Sequence, residues 1–194
     1  MLSKTLILNS VKQALSAAAQ LQQQESVAFI SHAAQMLASC FLEGNKVIIA
    51  GNGGSLCDAA HFAEELTGQF RQFRAALPAI SLSDPGHITC VGNDMGFDKI
   101  FSRGVEAFGK QGDVFVGLTT SGNSANIINA FEAARQRGMK TIAFLGKNGG
   151  KLRGVADLEL IIEGFSTSDR IQEAHMIAIH IIIEAVESLV FKGE

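Results

Sequence analysis

The sequence predicts an α/β fold in which helices cover both faces of a parallel sheet. Five short apolar runs, several of them β-branched, are each closed by glycine or hydroxyl residues; they occupy residues 46–50, 79–82, 113–118, 141–145 and 158–162. Helical patterns fill most of the stretches between these runs, and strands that alternate with helices form parallel sheets. Because both faces of such a sheet are buried, near-continuous apolar runs are the expected strand signature.

Two helices are predicted ahead of the first strand. Residues 3–43 are rich in Ala, Gln and Leu, and their apolar positions follow helical spacing. The length of 194 residues suits one domain of ordinary size with a real core. We therefore divide a single domain, residues 1–194, into an N-terminal helical extension (1–44) and an α/β core (45–194).

Further helices are predicted at residues 125–136 and, as a long final element, from about residue 170 to 190. The strongest apolar run of the chain lies at the end of this final helix. His180, Glu184 and Glu187 interrupt that run, so it does not predict a transmembrane span. We expect no membrane partner.

The composition favours an oligomer and argues against a nucleic-acid partner. Hydrophobic residues make up 47% of the chain and charged residues only 18%, and single soluble chains rarely leave large apolar patches in water. We therefore expect subunit interfaces, with a well-filled core as the simpler alternative. The net charge is −3 and no run of Lys or Arg is present, so a nucleic-acid backbone is not an expected ligand.

The cysteines and the N-terminal residues predict a cytoplasmic protein. Cys40, Cys57 and Cys90 are odd in number and lack the spacing of a metal or redox motif, so we expect buried thiols in a reducing compartment. Asn9 and Ser10 cut the first apolar stretch too short for a signal-peptide core.

A glycine-rich turn, GNGGS at residues 51–55, joins the first predicted strand to a helical pattern. Backbone N–H groups and a helix N-terminus converge at such a turn and suit a phosphate or another oxyanion. Leu56 stands where a dinucleotide fingerprint has its third glycine, and no Gly-Lys-Ser/Thr follows, so neither nucleotide motif is present. A tight strand-to-helix connection is the alternative. Farther along the same helix, His61 and Glu65 leave one face because they are four residues apart.

A second turn, TTSGNS at residues 119–124, follows the third predicted strand and precedes a helix. Four hydroxyl groups and a glycine at a helix start can donate several hydrogen bonds to a phosphate without adding positive charge. The alternative is an N-cap cluster, but a single cap uses one hydroxyl and not four. The phosphate interpretation is therefore favoured.

Two further turns are less informative. The stretch GNDMGF at residues 92–97 is predicted as a turn in which Asn93 and Asp94 bind sugar hydroxyls, or in which Asp94 only terminates the turn. The stretch GKNGG at residues 146–150 is predicted as a plain turn after a strand.

The final helix carries a second group of polar side chains. Gln172 and His180 are eight residues apart, which is about 80° around an α-helix, so both can face a common site. A histidine in an apolar helix is more often a buried core residue, and we expect that role for His175.

Together these motifs resemble the phosphoheptose isomerases, the sedoheptulose 7-phosphate isomerases of the sugar-isomerase (SIS) domain superfamily. The resemblance runs from about residue 46 to 184, with the motifs in the family's order and spacing; it rests on GNGGS at 51–55, His61 with Glu65, GND at 92–94, TSGNS at 120–124 and RIQE at 170–173. The glycine turn alone would be weakly specific, whereas the full set is highly specific.

The resemblance implies a fold, an activity and an assembly. The fold is a three-layer αβα sandwich with a five-stranded parallel sheet, the flavodoxin-like SIS fold, with added N-terminal helices. The activity is conversion of D-sedoheptulose 7-phosphate to D-glycero-D-manno-heptose 7-phosphate, the first step toward the ADP-heptoses of the lipopolysaccharide core. The assembly is a cytoplasmic homotetramer whose active sites are shared between subunits.

The resemblance also implies roles for individual residues. Glu65 and His180 are expected to perform the proton transfers. Residue 119 is often serine in the family, and Thr119 keeps the hydroxyl while adding a methyl group. Substrate contacts are implied for Asn52, Gly53, Gly54, Ser55, Glu65, Asn93, Asp94, Thr119, Thr120, Ser121, Ser124, Asp169 and Gln172.

One zinc ion per subunit is the cofactor that the resemblance implies, with His61, Glu65, Gln172 and His180 as its ligands. Nitrogen and oxygen donors of this kind suit zinc. The ion could polarise the substrate carbonyl as a Lewis acid. Alternatively it could occupy and stabilise the site, because bound Glu65 and His180 are less available for proton transfer.

Two other functions are compatible with parts of the motif set. A non-enzymatic SIS protein of the DnaA initiator-associating type keeps much of the glycine turn, but such proteins resemble this chain less at the acid–base positions Glu65 and His180. An isomerase for another phosphosugar, such as arabinose 5-phosphate, usually carries an extra regulatory region. The retained acid–base pair favours the heptose enzyme.

Overall fold

The computed structural model describes residues 3–191; the predicted outer bounds of the domain, residues 1 and 194, lie outside them. Seven α-helices occur in these residues: α1 (Lys4–Ala19), α2 (Gln24–Leu42), α3 (Gly54–Thr67), α4 (Pro85–Asp94), α5 (Ile100–Phe108), α6 (Ala125–Gln136) and α7 (Ser168–Val190). The strands are β1 (Val47–Gly51), β2 (Ala79–Ser81), β3 (Val114–Thr119), β4 (Lys140–Gly146) and β5 (Leu158–Ile162). No helix within residues 3–191 combines the length and apolarity that crossing a membrane requires.

All five strands form one parallel sheet in the order β2-β1-β3-β4-β5. The prediction of a five-stranded parallel sheet is confirmed. Asp113, the predicted first residue of β3, lies just before the strand; its buried carboxylate accepts hydrogen bonds from the backbone N–H groups of Lys46 and Lys110, both at 3.0 Å. Burial alone would raise the pKa of Asp113, but the hydrogen bonds from Lys46 and Lys110 hold that pKa below its ordinary value.

Helices cover both faces of the sheet, which confirms the three-layer αβα prediction. One face packs against α1, α2, α3 and α7, and there Phe29 meets Phe144 edge to face. The other face packs against α4, α5 and α6, where Phe115 meets Phe131 in the same way. Successive residues of β1 alternate between the two cores because strand side chains alternate between faces.

The predicted turn at residues 92–97 is wrong for its first half. Gly92, Asn93 and Asp94 form the last turn of α4, and the backbone becomes left-handed only at Gly96 (φ +101°). The physical reason lies at the start of the helix, where the Asp84 carboxylate accepts a 2.7 Å hydrogen bond from the N–H of His87 and proline follows Asp84. An acidic N-cap followed by proline is a strong helix start.

The prediction that all three cysteines are buried is also wrong. Cys40 is buried in α2, but Cys57 and Cys90 are exposed because they lie on the solvent-facing sides of α3 and α4.

Besides its packing against one face of the sheet, the N-terminal helical region bonds to the edge of the sheet through the side chain of Gln20. The Gln20 amide, which follows α1, donates a 2.8 Å hydrogen bond to the carbonyl of Glu163 and accepts a 3.0 Å hydrogen bond from its N–H. Glu163 directly follows β5, which is the outermost strand on that side. Gln20 therefore satisfies both backbone groups of a residue at the end of the edge strand.

Candidate active site

A polar cavity of about 300 Å³ opens at the carboxyl ends of β1 and β3. Ligands of open α/β sheets bind at this edge, because the strand-to-helix turns gather there. The cavity is formed by the glycine turn, the hydroxyl turn and the start of α7; its lining residues are Asn52, Gly54, Ser55, Leu118, Thr119, Thr120, Ser121, Ser124, Ser168 and Gln172.

The hydroxyl turn does not serve mainly as a helix cap. Ser124 occupies the N-cap position of α6, yet its side chain makes no capping hydrogen bond. Instead, the Thr119 hydroxyl lies 3.2 Å from that of Ser124 and 3.4 Å from that of Ser121, and the Thr120 hydroxyl lies 2.9 Å from that of Ser168. These hydroxyls bond to one another at a helix N-terminus, so they can turn toward an anion together.

The glycine turn brings α3 against α7. Gly53 adopts φ +56°, a conformation that favours glycine. A Cβ at Gly54 would lie 2.7 Å from the Gln172 amide, so a larger residue there would displace the end of this side chain. Gln172 in turn donates a 3.2 Å hydrogen bond to the Ser55 hydroxyl. The start of α3 and the start of α7 therefore meet in the cavity.

A pair of amides joins the glycine turn to the hydroxyl turn. Asn52 donates a 2.9 Å hydrogen bond to Asn126, and Asn126 donates a 2.8 Å hydrogen bond back to Asn52. Asn126 is buried in the first turn of α6. No motif of the sequence points to Asn126, and its adjacency to the hydroxyl turn is the only signal available.

The turn at residues 146–150, predicted as a plain turn, also supports the hydroxyl turn. Gly122 has φ +64°, and a Cβ there would overlap the carbonyl of Gly149. The Asn123 side chain accepts a 3.1 Å hydrogen bond from the N–H of Lys151. The two turns are thus in direct contact, and the second one shapes the first.

A second group of side chains lies farther along α3 and α7. The Nε2 atom of His61 lies 3.0 Å from Nε2 of His180 and 3.5 Å from a carboxylate oxygen of Glu65. The three potential ligand atoms all lie within 4.8 Å of one another. The structure therefore brings together Glu65 and His180, which sit on different helices. We call His61, Glu65 and His180 the His–Glu–His cluster.

Two neighbours of the cluster have no counterpart in the sequence predictions. Glu64 lies 3.1 Å from Nδ1 of His61, so it can accept a hydrogen bond from that nitrogen and leave Nε2 for a ligand. Phe70 packs against the His180 ring, with centroids 5.6 Å apart. A carboxylate three residues after a candidate ligand was the available signal for Glu64, while Phe70 comes from a loop and had none.

The His–Glu–His cluster fits zinc in donor type and spacing. Zn–N and Zn–O bonds of 2.0–2.1 Å place tetrahedral ligand atoms about 3.3 Å apart, and the observed separations of 3.0 and 3.5 Å bracket that distance. Gln172, the fourth expected ligand, instead bonds to Ser55 in the cavity. Its position on α7 is eight residues, or about 12 Å along the helix axis, before His180.

Asp58 lies one helical turn before His61, and one of its carboxylate oxygens is buried. Within residues 3–191, its Oδ2 atom is buried and makes no hydrogen bond. Burial raises the pKa of Asp58 to about 6, against the opposing attraction of His61.

His175 is a core residue, as predicted. It is fully buried, and its Nε2 atom lies 2.8 Å from the carbonyl of Leu145, so Nε2 carries the proton. Its Nδ1 atom makes no hydrogen bond within residues 3–191. Burial lowers the pKa of His175 to about 4, so the ring is neutral near pH 7.

Five of the expected substrate residues do not line the cavity: Gly53, Glu65, Asn93, Asp94 and Asp169. Asn93 donates a 2.7 Å hydrogen bond to Asp94, and both are exposed at the end of α4. Asp169 is exposed at the start of α7, 3.3 Å from Arg170, and a hydrogen bond from Thr167 holds the pKa of Asp169 below its ordinary value.

Comparison with known proteins gives the family of the chain. The family model for the SIS domain matches residues 8–146. A phosphoheptose isomerase of Fusobacterium nucleatum is 61% identical over 158 residues, which is 81% of each chain. An Escherichia coli phosphoheptose isomerase is 52% identical over 188 residues, covering 96% of this chain and 98% of the other.

Solved structures agree with the sequence relatives. A phosphoheptose isomerase from Francisella tularensis superposes with a TM-score of 0.91 at 35% identity, covering 97% of this chain and all of the other. The phosphoheptose isomerase from Neisseria gonorrhoeae gives a TM-score of 0.88 at 36% identity, with 95% and 98% covered. With these identities and coverages, the resemblance of the motifs is confirmed, and the chain belongs to the phosphoheptose isomerases of the SIS-domain superfamily.

Proposed function

We propose that this protein is an aldose–ketose isomerase that converts D-sedoheptulose 7-phosphate into D-glycero-D-manno-heptose 7-phosphate. The observation that carries the proposal is the meeting of the Glu65 carboxylate and the His180 imidazole beside a cavity rich in hydroxyl donors. The curated relatives named phosphoheptose isomerase support the same activity.

The reaction needs a base and an acid that act on neighbouring atoms. One carbon-bound proton moves from C1 to C2, and one oxygen-bound proton moves from O1 to O2, so the atoms balance without a second reactant. Glu65 takes the proton from C1 while His180 protonates O2, which gives an enediol; the enediol then loses the O1 proton and gains a proton at C2. Such general acid–base partners contribute about 10²–10⁴-fold each.

The phosphate binds at the hydroxyl turn, away from the proton-transfer pair. Thr119, Thr120, Ser121 and Ser124 can donate hydrogen bonds there, at the N-terminus of α6. The His–Glu–His cluster lies farther along α3: His61 is seven residues, or about 10 Å along the axis, beyond Gly54. A linear heptose phosphate has its carbonyl and its phosphate at opposite ends. Its phosphate can therefore lie at the hydroxyl turn while its carbonyl end reaches the His–Glu–His cluster.

The remaining expected contacts are part of the proposal. Gln172 and Ser55 lie in the cavity, together with the glycine turn, and orient the carbon chain. Asn93, Asp94 and Asp169 are exposed on the single chain, so their proposed contacts require a neighbouring copy or a movement of the chain. We also propose that residues 1–194 form a single SIS domain.

Zinc is the proposed cofactor, with His61, Glu65 and His180 as ligands; Gln172 would become a further ligand only by leaving Ser55 and reaching along α7 toward His180. When bound, the ion would supply Lewis-acid polarisation of a substrate oxygen. Because Glu65 and His180 are also the proposed proton-transfer groups, metal removal and readdition must be tested alongside turnover.

A homotetramer with shared sites is the proposed assembly. An apolar groove of about 910 Å³ runs between α1 and α7, and His180 is one of its lining residues. Leu6, Val11 and Leu15 of α1 are at least half exposed along it. A second copy covering this groove would bury these side chains and border the proposed active site. Dilution should then lower activity and particle mass together, whereas an active monomer would contradict shared sites.

The physiological setting completes the proposal. The product is the first intermediate on the route to the ADP-heptoses of lipopolysaccharide core, and synthesis of such a nucleotide-sugar precursor is proposed to take place in the cytoplasm.

The decisive experiment is a coupled heptose-phosphate assay of the purified protein and its Glu65→Gln variant. We expect turnover in the parent and a loss of about 10²–10⁴-fold in kcat in the variant, because the amide cannot act as a base. Phosphate affinity should stay nearly unchanged in the variant, since Glu65 lies outside the cavity. An inactive parent protein would contradict the proposed isomerase activity. An undiminished kcat in the variant would contradict the proposed role of Glu65 as the base.

A further inference from the structure

A buried ion pair lies near the ends of α3 and α7, outside both the cavity and the His–Glu–His cluster. The Arg74 Nε atom lies 2.9 Å from a carboxylate oxygen of Glu187, and the two side chains are only 1% and 4% exposed. Burying two charges costs free energy unless further hydrogen bonds satisfy them. Further hydrogen bonds join this pair to the end of α3 and to the loop that follows α3.

The guanidinium of Arg74 caps the C-terminus of α3. Its Nη2 atom donates to the carbonyl of Glu65 at 2.8 Å, and its Nη1 atom donates to the carbonyls of Leu66 at 2.8 Å and Gly68 at 3.1 Å. The last carbonyls of a helix lack partners within the helix, and a cation is favourable at that end. One of the carbonyls held in this way belongs to Glu65, the proposed base.

The carboxylate of Glu187 holds the loop that follows α3. Its second oxygen accepts a hydrogen bond of 3.4 Å from the N–H of Arg71. Phe70, the preceding residue, packs against the ring of His180. Arg74 and Glu187 therefore link three parts of the structure. These are the end of α3, which carries Glu65; α7, which carries His180 and Glu187 itself; and the loop whose Phe70 packs against the His180 ring.

We propose that Arg74 and Glu187 are positioning residues that set the separation of Glu65 from His180. This inference rests on the proposed roles of Glu65 and His180 in proton transfer. Neither Arg74 nor Glu187 touches the cavity, which lies at the opposite ends of α3 and α7. Loss of the pair therefore moves the proton-transfer groups and leaves the phosphate contacts in place.

The test compares two double variants. Arg74→Met with Glu187→Met removes the buried pair without leaving an unpaired charge, and Arg103→Gln with Glu106→Gln removes an exposed ion pair of α5, away from this network. We expect the first variant to lose about 10- to 100-fold in kcat, because small misplacements of reacting groups have effects of that size. Its KM should stay within about threefold of the parent value, because the contacts that bind substrate equally in the ground state and the transition state are kept. The control should keep both constants.

Further measurements separate positioning from folding and from the proposed function itself. Thermal unfolding and inorganic phosphate binding report on the fold, and the pH profile of kcat reports on the acid–base pair. Arg74→Lys keeps the buried charge but loses the forked donors, and we expect an intermediate kcat; it carries the test if the double variant does not fold. An unchanged kcat and pH profile in a folded variant would overturn the positioning role. An inactive parent protein would instead overturn the proposed function.

Discussion

The Nε2 atoms of His61 and His180 face each other at 3.0 Å, although the two residues come from different helices. Two neutral imidazoles can share one proton at this distance, or both nitrogens can bind one cation. The Glu65 carboxylate within the same cluster favours a cation, because it supplies an anionic oxygen.

Zinc should therefore stabilise the metal-stripped protein. At a free zinc concentration about 100-fold above the dissociation constant, the free energy of unfolding should rise by about 2.7 kcal/mol. His61→Ala and His180→Ala should abolish this rise, whereas His32→Ala, which removes an exposed histidine of α2, should keep it. Titration calorimetry and thermal unfolding provide the measurement. Equal zinc affinity in all three variants would show that the ion binds elsewhere.

Asn126→Asp should weaken substrate binding. The new carboxylate would face the carbonyl oxygen of Asn52 and add negative charge beside the cavity, so one of the paired hydrogen bonds would be lost. A buried polar group that loses its partner costs about 1–3 kcal/mol, which corresponds to an increase of about 5- to 150-fold in KM if it acts on binding. Steady-state kinetics measures the change. Asn129→Asp, which changes a half-buried amide of the same helix outside the cavity, is the control and should leave KM unchanged; equal values in the two variants would contradict the prediction.

Gly122→Ala should disrupt the hydroxyl turn. The residue has a positive φ, and the added methyl would also overlap the carbonyl of Gly149. Gly44→Ala shares the backbone penalty, with φ +74°, but has open space around its Cβ. We expect a loss of stability of about 1 kcal/mol for Gly44→Ala and a larger one for Gly122→Ala.

Phosphate binding separates these two glycine variants further. Inorganic phosphate affinity, measured by calorimetry, should fall only in Gly122→Ala, because Gly44 lies beyond α2 and far from the turn in sequence. Retained phosphate affinity in a folded Gly122→Ala protein would mean that the turn at residues 146–150 does not shape the site.

Acidification should destabilise the protein through His175. Its pKa is lowered to about 4 in the folded protein, whereas the ordinary value is 6.5. Between these two values the unfolded chain binds a proton that the folded chain does not, so stability rises with pH and is lost as the pH falls from about 6.5 to 4. The full effect is about 3 kcal/mol.

The control for this pH effect is His175→Gln. The glutamine amide can replace the hydrogen bond to Leu145 and does not titrate. Denaturant unfolding at pH 7 and pH 4.5 should show a smaller pH-dependent loss in this variant. The same loss in both proteins would assign the acid sensitivity to other groups.

Sequence patterns predict the sheet closely, because strands buried on both faces appear as near-continuous apolar runs. Each predicted strand agrees with the structure to within one residue at either end. The glycine and hydroxyl turns are likewise predicted, since left-handed backbone and anion binding both restrict residue type. The error at residues 92–94 arose where glycine was weighed above the helix start at Asp84.

No sequence pattern predicts pairs of polar residues that meet only in the folded chain. Asn126 meets Asn52, and Glu187 meets Arg74, across long stretches of sequence with no repeating pattern. Phe70 reaches His180 from an irregular loop. The convergence of Glu65 with His180 was accessible only because a family resemblance supplied the link between two separate helices. Contacts of this kind depend on how the helices pack, which spacing along one element does not determine.

Gln20 has a protective consequence. By bonding to both backbone groups of Glu163, it closes the peptide that follows the outermost strand. A shortened chain that lacks α1 and Gln20 would present these groups to other molecules, and an open strand edge is a template for fibrillar self-association. We therefore expect Gln20→Ala to leave two backbone groups at the end of this edge without their side-chain partner.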